Sequence, residues 1–290
     1  KPIVIAPAMN VRMWEHQATQ DNLRTVLDRG VFQVGPDKGP MACGEFGQGR
    51  MASIDDIIEK VEVVLGKDNF TMSLSGRRAL VTSGPTHEPI DPVRYIANYS
   101  SGKQGHAVAS ALARLGAETT LVSGPVTLAD PPGLKTIHVT SAAEMLDVCE
   151  AALPVDIAVC AAAVADWRAT EKAENKIKKS KDKKHSIILE KNPDILAALS
   201  RRDYNKRPAL VVGFSAETEE ILKNAAEKRV RKGCDWILAN DVSEGKGVFG
   251  GEDNELHLVQ HSSVESWPHM SKVAAAQKLA NRVAEFFETA

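Results

Sequence analysis

The feature that most constrains this chain is a repeated alternation of short apolar runs with amphipathic stretches that stop at glycine. Ala79–Thr82, Thr119–Val122, Val155–Val159, Leu210–Gly213 and Trp236–Ala239 each have the length and composition of a buried strand. Helical segments lie between them. One carries Ala107, Val108, Ala111, Leu112 and Leu115 on a single face and stops at Gly116. Ser141 begins another, Asn192 is expected to cap a third at Pro193, and Glu217–Lys232 is expected to form a fourth closed by Gly233. Strands joined through helical crossovers pair in parallel, because a tight turn joins only antiparallel neighbours. The predicted fold is therefore α/β, a doubly wound, mostly parallel sheet of the dinucleotide-binding type. Leu256–Gln260 alternates like an antiparallel strand, and Lys272–Phe287 reads as a terminal helix.

A smaller pattern precedes Gly66. Lys1–Pro7 reads as a buried strand, Gln20–Arg29 as a helix ending at Gly30, and Val31–Val34 as a short strand. Ser53, with Asp56 three residues on, caps a helix whose apolar stripe is Ile54, Ile57, Ile58, Val61, Val64 and Leu65. Residues 67–76 are polar, contain Gly and Ser, and hold no sustained period, so they are assigned to a linker. The expected organisation is a unit at 1–66, the linker at 67–76 and a domain at 77–290. The opening apolar run is too short for a signal peptide and no cleavage site follows it. A chain that opens inside a strand, without an initiator Met, is expected to be a fragment.

Composition narrows the partners. The formal net charge is -2, so no global basic field attracts nucleic acid, and an aromatic content of 5% argues against a stacking platform for single strands. No apolar run approaches the length of a membrane span. Cys43, Cys149, Cys160 and Cys234 are widely spaced and match neither a disulfide framework nor a zinc pattern, which points to a reducing cytoplasm.

The connection from Ser83 to Gly105 is long for a strand-to-helix loop, and long loops in compact domains are usually functional. Gly84 follows the strand directly. Ser101, Gly102, Lys103 and Gly105 lie at the start of the next helix, where free N–H groups and the helix dipole favour a phosphate. The same glycines serve equally well for packing. A Walker A loop is excluded, since it needs Gly where Ala97 stands and Ser or Thr where Gln104 stands. A nicotinamide-binding turn is disfavoured, because Gly84 is followed by Pro85 and Thr86.

Cys160–Trp167 carries small residues and then an acid beyond a strand end, the ligand side of an open α/β sheet. Around Ala162 there is room for a base or sugar, and Asp166 can accept from hydroxyls or hold a metal; tight packing with an Asp cap explains the run as well. Lys176–Lys184 is either a solvated loop or a mobile basic flap over phosphates. Lys228 and Lys232 share one helix face near its end, serving either phosphate or the helix dipole. Phe214 lies at another strand end and is either core or a stacking residue. Upstream, Pro7–Trp14, with Asn10 and Met13, follows a strand end, and Met41–Met51 is a Gly-rich loop carrying Cys43.

As a set these blocks carry a resemblance. Gly84-Pro85-Thr86 through Lys103, the Ala-Ala-Val-Ala-Asp run to Asp166, Lys-Ile-Lys-Lys from Lys176, Lys191-Asn192-Pro193-Asp194 and Ala239-Asn240-Asp241 resemble, in order and spacing, one half of a bacterial family. That family fuses phosphopantothenoylcysteine decarboxylase to phosphopantothenate–cysteine ligase in coenzyme A biosynthesis. The ligase resemblance runs from about Leu74 to the C-terminus. The Pro-Ala-Met-Asn and Ala-Cys-Gly-Glu blocks resemble the decarboxylase's substrate motif and the flap over its substrate. The family's upstream portion, with its catalytic His and most flavin contacts, has no counterpart in this sequence.

The resemblance implies a Rossmann-like ligase domain preceded by the C-terminal part of a flavodoxin-like flavoprotein domain. It implies that 4'-phosphopantothenate attacks the α-phosphate of CTP with Mg²⁺ present, pyrophosphate leaves, and the amine of L-cysteine then displaces CMP from an acyl-cytidylate. Carried over residue by residue, Asn98 turns over the acyl-cytidylate with Arg94 nearby, and Lys176 is required for acyl-nucleotide formation. Gly84, Ser101, Gly102, Lys103, Ala162, Asp166, Phe214, Lys228 and Lys232 fall at nucleotide-binding positions, with Asp166 also the metal candidate. Asn10 and Met13 fall at decarboxylase substrate positions and Cys43 at its flap, in a domain that holds FMN. The family's ligase works as a homodimer and its decarboxylase parts assemble as trimers. A non-catalytic binding module and an NAD(P)-dependent oxidoreductase are the rival classes.

Overall fold

Apolar runs that are buried on both faces can only be satisfied inside a layered sheet, and that is where the chain puts them. In a computed structural model the structure describes residues 1–41, 44–64, 72–178, 186–217, 219–241, 253–254 and 256–289. The chain forms two units, Lys1–Thr71 and Met72–Ala290.

In the first unit β1 (Val4–Ile5) is followed by two helices, α1 (Val11–Trp14) and α2 (Gln17–Asp28), and then by β2 (Phe32–Gln33), which pairs with β1 in parallel. Asn10 caps α1, its side chain accepting from Met13 N at 2.8 Å. β3 (Asp37–Pro40) and β4 (Phe46–Arg50) form an antiparallel hairpin. α3 (Ile54–Val64) starts as expected, with Ser53 Oγ accepting from Asp56 N at 3.1 Å. Its expected apolar stripe is not a buried one throughout: Ile54 and Ile58 are exposed.

The second unit opens with Leu74, which is buried and donates its N–H to Leu115 O, so residues 72–76 belong to this unit's packing. β5 (Arg78–Ser83) leads into a hairpin, β6 (Glu88–Asp91) and β7 (Arg94–Ile96), and then α4 (Lys103–Arg114). β8 (Glu118–Ser123), β9 (Lys135–His138), α5 (Ala142–Ala151) and β10 (Ile157–Cys160) follow. A second hairpin, β11 (Trp167–Ala169) and β12 (Leu189–Lys191), precedes α6 (Ile195–Ser200). The chain continues through β13 (Leu210–Glu217), α7 (Ile221–Lys232), β14 (Trp236–Asp241), β15 (Asp253–Asn254), β16 (Leu256–Val259), β17 (Val264–Ser266) and β18 (Met270–Ser271) to α8 (Lys272–Thr289). The main sheet has the order β17-β16-β14-β13-β10-β5-β8-β9. From β14 to β9 every pairing is parallel, and β16 adds antiparallel to β14.

β5 lies centrally because the chain first winds outward through β8 and β9, then crosses back to β10 and winds the other way. Leu80, Ala158, Val211 and Ile237 pack on one face with Met145, Leu196, Leu199 and Ala225 from α5, α6 and α7. Their neighbours of opposite parity, Ala79, Val81 and Val159, are equally buried, as the period of two requires. α4 packs on β5 and β8 and against α8.

Two expectations are corrected. Asp194, not Asn192, caps α6, accepting from Ala197 N at 3.0 Å. A residue before proline is held extended, and Asn192 instead turns its amide to Ala165 O at 2.8 Å. The fourth helix starts at Ile221 rather than Glu217, because β13 runs on to pair Glu217 with Asp241.

Candidate active site

Ligands of doubly wound sheets bind where the winding reverses, beyond the strands' carboxyl ends. Here that point lies between β5 and β10, and a cleft of about 940 Å³ occupies it.

The floor is the run from Cys160 to Asp166, extended and tied down nearly residue by residue. Ala161 N donates to Thr82 O at 3.2 Å, Ala162 N to Thr82 Oγ1 at 3.3 Å, Ala163 N to Gly84 O at 2.9 Å and Ala165 N to Thr86 Oγ1 at 3.0 Å. From the other side Asn98 Nδ2 donates to Val164 O at 2.9 Å, and Asn192 donates to both Ala165 O and Asp166 O. Because the alanines have almost no side chain, the backbone itself forms the cleft wall. That accounts physically for a run of small residues at this point.

The second wall is the start of α4. Gly102 takes the left-handed conformation, φ 76°, which only glycine adopts without strain. Its carbonyl is fixed by Ser83 Oγ at 2.8 Å and lies 3.1 Å from His106 Nδ1. Ser83 and His106 are both buried, and burial pushes the His106 pKa down, so the imidazole stays neutral at pH 7. Ser101, Gly102, Lys103 and Gln104, at the start of α4, line the cleft.

Opposite stand Phe214, Lys228 and Lys232. Lys228 Nζ donates to Phe214 O at 3.0 Å and Ser215 Oγ at 3.3 Å, and burial lowers its pKa. Lys232 forms an ion pair with Asp194. Burial opposes the Asp194 carboxylate, but hydrogen bonds from Lys232 and Ala197 N outweigh it and the net shift is downward. An entering phosphate therefore meets one ammonium on neutral partners and another already shared with a carboxylate.

The structure thus brings together Asn98, Ser101, Gly102, Lys103, Ala162, Asp166, Phe214, Lys228 and Lys232. Gly84, Arg94 and Lys176 do not line the cleft wall. Gly84 supports it through the bond to Ala163, while Arg94 binds Asp91 and Ile177 O. Lys176 is exposed, and residues 179–184 of the same run lie outside the described residues. So does Cys43; Asn10 and Met13 belong to the first unit. Asp166 is exposed, and no group of three or more His, Cys, Asp or Glu suited to a metal occurs among the described residues. Asp194, Ser215 and Lys272 also line the cleft. Asp194 had a signal, its place after Asn192-Pro193; buried Lys272 had none, because only the fold brings α8's first residue beside α4.

Residues 74–287 match the family model "DNA/pantothenate metabolism flavoprotein C-terminal domain", and residues 1–66 match the flavoprotein model. The coenzyme A biosynthesis bifunctional protein CoaBC of Vibrio cholerae is 46% identical over 98% of this chain and 70% of its own length. That of Escherichia coli is 41% identical over 97% of this chain and 69% of its own. Among solved structures, the C-terminal domain of a CoaBC protein superposes with a TM-score of 0.62 at 33% identity, covering 75% of this chain and 99% of that one. With a switch-point cleft in its larger unit, family matches across both units and identities of this size along nearly its whole length, the chain belongs to the family of bifunctional coenzyme A biosynthesis proteins.

Proposed function

We propose that the second unit joins 4'-phosphopantothenate to L-cysteine, driven by CTP through an acyl-cytidylate. The observation that carries this reading is the convergence on one cleft of a helix N-terminus, two lysines and the Asn98 amide. The substrate carboxylate attacks the α-phosphate and pyrophosphate leaves; the cysteine amine then attacks the acyl carbon and CMP leaves. Such chemistry asks the protein for alignment and charge neutralisation rather than for a covalent group.

In this reading the first turn of α4, Lys228 and Lys232 hold phosphates. The backbone around Ala162 and the Phe214 ring hold the base and sugar. Asn98, whose amide already donates to Val164 O, stands where a donor to the acyl oxygen is needed. Lys176 neutralises charge in the first step. Mg²⁺ commonly takes one or two carboxylates and fills its shell with phosphate and water oxygens, which suits an isolated carboxylate such as Asp166.

FMN and decarboxylation belong, in the same reading, to the first unit, with Asn10, Met13 and Cys43 on the substrate side. A flavin crevice needs the ends of several parallel strands, and among the described residues this unit has two. The two ligase steps are assigned to the second unit. A homodimer through the second unit is part of the proposal, and Val93, Tyr95 and Tyr99 are among that unit's exposed large side chains. No helix among the described residues is long and apolar enough to cross a membrane, and a cytoplasmic location is part of the proposal.

The test is pyrophosphate release with each of the four nucleoside triphosphates, with and without phosphopantothenate, followed by addition of cysteine. Release is expected only with CTP and phosphopantothenate together. Release that ignores phosphopantothenate, or its absence with every nucleotide, refutes the proposal.

A further inference from the structure

Ile177, the residue after Lys176, is held by both of its backbone polar groups. Its N–H donates to Asp91 Oδ2 at 3.1 Å, and its C=O accepts from Arg94 Nη2 at 2.9 Å. Asp91 accepts as well from Val93 N at 2.9 Å and Arg94 Nε at 2.9 Å, and pairs with Arg94 Nη2. Four residues before Ile177, Ala173 N donates to Ile90 O at 3.0 Å. The Asp91 side chain is 0% exposed. A turn at Pro92 needs only a short polar side chain at the surface. Burying a carboxylate costs far more unless it is fully bonded, and here one of its donors comes from a segment 86 residues away.

We propose that Asp91 is a positioning residue for Lys176, setting the point at which the lysine-bearing segment leaves the tip of the β6–β7 hairpin. The same hairpin leads toward Asn98, but the Asn98 amide has its own anchor, donating to Val164 O at 2.9 Å. The inference rests on the reading of Lys176 as the lysine of the first step. Hydrogen bonds from Arg94 hold the Asp91 carboxyl well below the usual carboxylate range, so the clamp stays charged throughout any practical assay.

The experiment is a cycle on the full chain: Asp91→Asn, Lys176→Gln and the double variant. Pyrophosphate release from CTP and phosphopantothenate is the first readout, and conversion of preformed acyl-cytidylate by cysteine is the second. Displacing a reactive group by an ångström costs roughly 10- to 100-fold, and that is the loss expected for Asp91→Asn in the first readout. The double variant is expected to be no slower than Lys176→Gln, since a side chain already removed has no position left to lose. The cysteine step is spared.

Losses that multiply, or Asp91→Asn at full rate beside an impaired Lys176→Gln, overturn the positioning role. A Lys176→Gln variant at full rate overturns instead the reading beneath it. If Asp91→Asn does not fold, Ile177→Pro removes the N–H that Asp91 holds and leaves the buried ion pair in place. It is expected to slow the same step, and an unchanged rate overturns the inference.

Discussion

Asn98 marks the division between the two half-reactions. Its amide donates to Val164 O, so a donor, not an acceptor, faces the cleft floor. Asn98→Asp puts a carboxylate against that carbonyl and against any oxyanion forming nearby. Loss of one such donor costs about 100- to 1000-fold, and amide formation is expected to fall by that factor while pyrophosphate release continues. Acyl-cytidylate should then accumulate and be detectable by mass spectrometry; normal turnover without it would sink the assignment. Lys228 makes a different prediction. Burial lowers its pKa from the ordinary lysine value of 10.5, so rising pH removes its charge earlier than that of an exposed lysine. For the free enzyme, kcat/KM for the nucleotide should therefore decline on the alkaline side below pH 10.5. In Lys228→Arg, whose guanidinium stays protonated, the plateau should be lower and flat. An unchanged alkaline limb would show that another group titrates. Lys228→Ala should raise the nucleotide KM roughly 10- to 100-fold, the scale of a hydrogen bond to a charged group. The residue types at these positions were legible in the sequence. The Lys232–Asp194 pair and buried Lys272 were not, because their neighbours come from distant segments.

At the scale of elements, the packing of α4 on β5 decides how the phosphate-facing turn is held. Gly105 lies in the first turn of the helix, and a Cβ added there would stand 2.4 Å from Ser83 Oγ and 2.5 Å from Ser83 Cβ. Alanine ordinarily stabilises a helix relative to glycine by about 1 kcal/mol. Here the contact reverses the sign, because Ser83 cannot swing aside without releasing the Gly102 carbonyl and His106. Gly105→Ala is expected to destabilise by about 1–3 kcal/mol, the usual cost of overpacking, and to raise the nucleotide KM as the turn shifts. Chemical denaturation and steady-state kinetics on the same preparation check both; a stabilised variant would contradict the contact. The long helices and central strands were readable from period and apolar runs. The β6–β7 and β11–β12 hairpins were not. Their residues, such as Glu88-Pro89 and Trp167-Arg168, lack an alternating pattern, and the contacts made there reach distant segments, as Arg94 does to Ile177 O and Asn192, just past β12, to Asp166 O. Asn192 misled for a related reason: a good capping residue before proline is turned to tertiary use.

At the scale of the whole molecule, the division of labour between the units follows from where the apolar core lies. Among the described residues of Lys1–Thr71, the buried hydrophobic side chains are Trp14 and Ala52, whereas Met72–Ala290 holds a continuous core on the main sheet. Every described residue lining the cleft, from Thr82 to Lys272, also belongs to the second unit. A domain with its own core folds independently as a rule. The segment from Met72 to Ala290 expressed alone is therefore expected to unfold in one cooperative transition and to release pyrophosphate from CTP and phosphopantothenate at the rate of the full chain. The complementary segment, with so few buried side chains, is expected to show no such transition on its own. Calorimetry and the pyrophosphate assay on both segments check this. A second unit that folds but loses the first half-reaction would mean that the flavoprotein unit contributes to the cleft. A second unit that fails to fold would mean that the core assigned to the main sheet is not sufficient by itself.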